Sequence, residues 1–355
     1  MSQESFLKRR WKLLLNIATV LALVVLGVAI RGQLLATLDN LTKVKAWVLL
    51  LIIPIEALNY HAQTKLYQRL FAAVDEKLSY GRLMRASLEL NFVNHVFPSG
   101  GVSGISYFGF KMRELGVRGT KATLVQTMKL LLLFVSFEVL LLVGMLILAV
   151  NGRASNLIIF IASALTTLVL CGTGIFVYVI GSEARINSFL TVTARLLNQL
   201  VRLVRPRNAE AINIARARTI FGDFHRDYML LRSRYRELQA PFWWAFFANA
   251  TEVAVVYVVY VAFGAYVDVG AVILAYGVAN FAGLVSVLPG GVGIYEALMT
   301  AVLVATGIPA SLSLPVTVMY RVLNTLLQVP PGYVLYHYTL QRKTPLPGTA
   351  HDSGG

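Results

Sequence analysis

Six apolar stretches, near residues 13–30, 46–64, 122–150, 156–180, 241–263 and 314–337, each approach or exceed the roughly 20 residues an α-helix needs to cross a ~30 Å hydrocarbon layer. Nothing else in the chain limits its fold so strongly. With 57% apolar and 14% charged residues over 355 positions and a mean hydropathy of +0.67, the chain carries more apolar surface than a water-soluble core can hide. Backbone groups in lipid must be bonded within their own segment, and no run shows the two-residue alternation of a barrel strand. The expected fold is an all-α polytopic membrane protein.

Lysine and arginine outnumber aspartate and glutamate by 32 to 17. In a membrane protein that excess belongs first to loops facing anionic lipid, so nucleic acid is not an expected partner. The single cysteine, Cys171, lies inside an apolar stretch and leaves no basis for a disulfide framework or a thiol metal site. Lys8, Arg9, Arg10 and Lys12 precede an apolar run too long for a signal-peptide core, so 1–12 reads as a cytoplasmic amino terminus ahead of an uncleaved first span.

Two further segments, 83–110 and 271–306, are moderately apolar and are interrupted by Pro98-Ser99-Gly100-Gly101 and by Pro289-Gly290-Gly291. Lys65, Arg69, Lys77, Arg82 and Arg85 precede the first, and Lys111, Arg113, Arg118 and Lys121 follow it, so both its ends read as cytoplasmic. The second is flanked by the nearly uncharged loops 264–270 and 307–313, which suit the opposite side. Six full transmembrane helices plus two re-entrant Pro-Gly-Gly hairpins then put the loop 181–240, with eleven arginines and no lysine, on the cytoplasmic side together with the tail 338–355. The alternative is eight full spans with each Pro-Gly-Gly a kink, which breaks the charge rule around 111–121.

That order is span, span, hairpin, span over 13–150 and again over 156–337, begun from opposite sides: an inverted-topology repeat, with 181–240 inserted in the second half. Single residues agree with it. Asn91-Phe92 precedes one break and Asn280-Phe281 the other, Gly116 follows Pro98 at the interval by which Gly307 follows Pro289, and Glu56 and Glu252 occupy the second span of each half.

Proline removes a backbone donor and glycine admits conformations other residues avoid, so each break exposes unpaired backbone at membrane depth. Helices starting after Gly100-Gly101 and Gly290-Gly291 would aim positive dipole ends at an anion such as a phosphate; a structural kink is the plainer reading. Glu56, Lys129, Glu138, Glu252, Glu296 and Arg321 lie within apolar stretches, where a charge costs at least ~2.5–3.5 kcal/mol at the bilayer centre. Lys129 and Arg321, at nearly matching distances after the two breaks, are candidates to meet an anionic head group, with Glu296 pairing Arg321 in the empty state. Glu56 and Glu252 are candidates for proton coupling. For each of these residues an ion pair that merely holds helices together stays open. His95, beside Asn91 and Asn94, is placed to line the cavity, but it has no companions at ligand spacing and no metal is expected. Phe189, Val192, Leu196, Leu200 and Leu203 recur at helical spacing over 188–204, which fits an amphipathic helix on the inner leaflet or an ordinary basic loop.

Asn94 to Gly104 (NHVFPSGGVSG) and Leu288 to Glu296 (LPGGVGIYE), followed by Gly307 and Arg321, resemble the membrane region of the lysylphosphatidylglycerol synthase family, the flippase-like part of the multiple peptide resistance factor. The resemblance runs from about residue 13 to 337. It implies a lipid transporter or flippase of a bacterial or archaeal cytoplasmic membrane, acting on anionic or aminoacylated phosphatidylglycerol or on a polyprenyl-linked lipid. No long soluble region follows residue 340, so aminoacyl transfer is not carried over: no enzyme activity and no cofactor are expected. Two rival readings remain. One is a non-catalytic subunit that recruits a separate synthase through 181–240, and the other a lipid-modifying transferase with Glu296 and His95 as acid and base. A homo-oligomer is compatible with all three.

Overall fold

A computed structural model describes residues 44–96, 102–188, 214–285 and 293–342, together with 191–192 and parts of 21–42. Most of the first expected span, both Pro-Gly-Gly breaks and nearly all of the amphipathic stretch 188–204 lie outside the described residues.

Every regular element among the described residues is helical. A short α1 (Ala46–Leu49) precedes α2 (Ile52–Ala73), α3 (Tyr80–Val96), α4 (Val102–Glu114) and α5 (Gly119–Val150). Then come α6 (Asn156–Ile180), the arginine-rich α7 (Ile214–Ser233), a 3-10 turn (Tyr235–Leu238), α8 (Gln239–Ala262), α9 (Val269–Val285), α10 (Ile294–Ala305) and α11 (Ala310–Arg342). Among the described residues, three helical stretches, α5, α6 and Tyr235–Ala262, are long and apolar enough to cross a membrane. The chain is a multi-pass membrane protein. At 22 and 33 residues, α2 and α11 are also long, but they carry more polar residues, which bond to neighbouring helices. The expected span at 46–64 is broken at Leu50–Leu51. Its main helix restarts at Ile52, where Pro54 falls in the first turn and its missing N–H is no loss, and then runs past 64 to Ala73.

The ends of α2, α4, α8 and α10 are built alike. After α4, Gly116 (φ +84°) donates to Arg113 O at 3.0 Å and Val117 donates to Met112 O at 3.0 Å; after α10, Gly307 (φ +89°) donates to Val304 O at 2.9 Å and Ile308 to Leu303 O at 3.0 Å. These are Schellman stops, in which the left-handed residue lets two terminal carbonyls find donors. The stop after α8 uses Gly264 and the one after α2 uses Asp75 (φ +60°), a residue type that tolerates this region. Five residues later the next helix begins in each case, at Tyr80 and at Val269, and each of those helices has 17 residues.

The packing is reciprocal. Helices α2 and α8 run antiparallel on each other: Lys45 N donates to Ala262 O (2.9 Å), Asn59 Nδ2 donates to Ala248 O (3.0 Å) and Thr251 Oγ1 (2.9 Å), and His61 lies against Trp244. In the same sense α3 packs on α11, with Phe92 between Tyr333 and Tyr336, and α9 packs on α5, with Phe281 against Phe134. The α3–α11 and α9–α5 crossings depend on glycine. A Cβ at Gly332 of α11 would lie 2.5 Å from Leu88 O, and one at Gly270 of α9 would lie 2.3 Å from Gly144 O.

Two apolar cores occupy the two ends of the bundle. One joins Leu66–Val74 of α2, Leu83–Leu90 of α3, Phe108 and Met112 of α4, the start of α5, the end of α6, and Phe224, Tyr228 and Leu231 of α7. The other joins the start of α2, the end of α5, the end of α8, and both α9 and α10. Leu83–Leu90 of α3 and the Phe108 and Met112 side of α4 therefore sit in one core and both arms of α9–α10 in the other, while Phe92, Val93 and Val96 at the end of α3 form a separate cluster with Tyr336 of α11. Ion pairs knit the first end together: Arg234–Asp75 (2.7 Å), Lys121–Glu76 (2.8 Å) and Arg118–Asp227 (3.6 Å). The Arg234 guanidinium holds the exposed Asp75 carboxyl below its ordinary range.

Candidate functional site

The chain following the second break re-enters a helix at Gly293, whose φ of +89° is open to glycine and strained for other residues. The first turn of α10 then brings Glu296 back over its own start, where Oε2 accepts from Gly293 N at 2.6 Å. That is half of a capping box, the other half being closed to a residue without a side chain. The other oxygen, Oε1, accepts from Arg321 Nη1 of α11 at 2.8 Å and from Gln33 Nε2 at 2.9 Å. Arg321 also lies over the Tyr295 ring, 4.6 Å from its centroid. A carboxylate thus fills the positive end of α10 and an arginine meets it, both largely buried. His95, at the end of α3, donates from Nδ1 to Asn91 O (2.9 Å) and lies within electrostatic reach of Arg321, so the residues before the first break and after the second face the same region.

Glu56 and Glu252 meet where α2 crosses α8. Gln328 Nε2 of α11 donates to Glu56 Oε2 at 3.3 Å, and the Tyr320 hydroxyl, next to Arg321, donates to Glu252 Oε2 at 3.3 Å. Lys129 is held elsewhere. Its ammonium donates to Gln63 Oε1 (3.0 Å) and to the Tyr67 hydroxyl (3.2 Å) and sits over the Tyr67 ring; Gln63 in turn donates to Asn59 Oδ1 (2.6 Å), which ties the lysine to the α2–α8 crossing. The described contacts thus join Glu296 with Arg321, set His95 close by, and leave Lys129 on a separate network. Glu138 accepts from Thr166 of α6. Pro98, Gly100, Gly101, Pro289, Gly290 and Gly291 lie outside the described residues.

One cluster escaped the sequence reading. Glu89 of α3, 1% exposed, pairs with Lys111 of α4 at 2.8 Å and also accepts from Tyr107 and from Thr339 of α11 (2.8 Å). Lys111 had been counted among cytoplasmic loop charges, but its side chain turns inward to Glu89. The available signal was an acid inside the first moderately apolar segment, which demands a cation on a neighbouring helix.

The family model for the lysylphosphatidylglycerol synthase TM region matches residues 13–332. No curated protein matches the chain.

Proposed function

The chain belongs to the lysylphosphatidylglycerol synthase TM region family, and from that premise we propose that it moves a lipid with an anionic or aminoacylated head group across the cytoplasmic membrane. The observation that carries the reading is the Glu296–Arg321 pair at the start of α10. An arginine on a ring face, bonded to a carboxylate at a helix amino terminus, is a site in which a phosphate can compete with the carboxylate for the arginine and the helix end. Lys129, with no carboxylate among its described contacts, offers a second cation along the path, and the residues of both Pro-Gly-Gly breaks would line it.

Matched helix lengths, matched Schellman stops and reciprocal antiparallel packing support an inverted repeat with six full spans. The confinement of each hairpin to one end supports two re-entrant hairpins. Alternating access then comes from rocking the halves about the α2–α8 crossing while the acyl tails stay in lipid. The basic end fits the cytoplasm, with both termini there.

The test is movement of fluorescent phosphatidylglycerol and of its lysyl derivative in proteoliposomes. Wild type should move at least one of them, and R321A and E296Q should lose movement while remaining folded. If neither lipid moves, with or without an imposed proton gradient, the lipid-transport reading fails.

A further inference from the structure

We propose that Glu56 and Glu252 form a shared proton site at the α2–α8 crossing, and that its protonation drives the lipid step. The coupling rests on the lipid-transport reading; the proton site itself does not.

The two carboxyls come from the matching helices of the two halves and lie within electrostatic reach of each other. Glu56 is 4% exposed, and its Oε1 has no hydrogen-bond partner among the described residues; Glu252 is half-buried. Among the described residues, the groups that face the pair are uncharged: Tyr60 from α2, Tyr276 from α9, Tyr295 from α10, and Tyr320 and Gln328 from α11, with the Glu296–Arg321 pair beyond Tyr295. Neither carboxyl has a described contact to a cation. Other buried glutamates solve the problem differently, since Glu296 has Arg321 and Glu89 has Lys111. Glu138 also lacks a described cation, but it stands alone between α5 and α6.

Two carboxylates close together in a low-dielectric site repel each other and are poorly solvated, so the pair holds at least one proton. The only bond made is carboxyl O–H. A proton bound from the acidic side is released to the other side once the crossing has rocked, and no other reactant is needed. The link to the head group is α11, which hydrogen-bonds both glutamates and carries Arg321 next to Tyr320.

The proton site is tested on the purified full chain in detergent by infrared spectroscopy across a pH titration. A protonated-carboxyl band present in wild type should disappear or shift in both E56Q and E252Q and persist in E138Q; a band insensitive to both substitutions overturns the proposal. The coupling is tested in phosphatidylcholine proteoliposomes containing fluorescent phosphatidylglycerol. An imposed pH gradient should accelerate wild type, whereas E56Q and E252Q should give the same rate with and without it, and E56D should regain the response. A wild type indifferent to the gradient, or glutamine variants that keep the acceleration, overturns the coupling. If wild type moves no lipid, the transport reading has failed and the infrared result alone decides the proton site.

Discussion

Buried charges separate by what each one touches, and that separation is testable. For Glu296 and Arg321, removing one partner strands the other in the interior, at a cost of about 3–5 kcal/mol, whereas removing both charges together costs much less. E296Q and R321Q should therefore each lower the melting temperature by more than the double variant does, as read by a thermal unfolding cycle in detergent. Additive losses would mean that the pair does not act as a unit. Lys129 should behave in the opposite way. Its ammonium is held by an amide, a hydroxyl and a ring rather than a carboxylate, so K129M removes an uncompensated charge of similar length. The expected result is unchanged or higher thermal stability with slower movement of anionic lipid. A loss of stability in K129M would identify the lysine as a structural support instead.

Helices meet here through glycines and through buried ion pairs such as Glu89–Lys111, and both can be tested. Gly332 lies where Pro330, Pro331 and the backbone of α3 crowd together, so G332A sets a methyl against Leu88 O and Phe92 and should cost about 1–3 kcal/mol. A scan of melting temperatures beside G109A, where a Cβ meets nothing, gives the comparison. K111M should cost more, about 3–5 kcal/mol, because it leaves Glu89 buried with only hydroxyl partners. Much at this scale was legible in the sequence. Hydropathy located α5, α6 and α8 nearly to their ends, and Gly116 and Gly307, noticed for their equal spacing, prove to be two matching helix stops. The break ahead of Ile52 and the inward turn of Lys111 were hidden for physical reasons. A proline in a first turn and a lysine that turns inward to a buried acid look, in one dimension, like an uninterrupted span and a loop charge.

The order of elements and a few matched residues led to the inverted repeat as an expectation, but nothing in them announced the exchange of packing partners. That α3 packs on α11 while α9 packs on α5 is a long-range fact, set by glycines whose meaning appears only when two helices touch. The same exchange makes the topology measurable. If each hairpin re-enters from its own side, the two ends of α3–α4 share one face of the membrane and the two ends of α9–α10 share the other. Exposed positions suit this test: Lys77 and Glu114 flank the first hairpin, and Tyr266 and Ser311 flank the second. With exposed Cys171 first replaced by serine, single cysteines at these four positions can be probed with a membrane-impermeant maleimide in sealed vesicles of known orientation. Re-entrant hairpins require Lys77→Cys and Glu114→Cys to label together from the cytoplasmic side, and Tyr266→Cys and Ser311→Cys together from the other. Eight full spans would instead split each pair across the membrane. That outcome would also undo the alternating-access reading, because a cavity closed by hairpin tips needs both tips to end inside the bilayer.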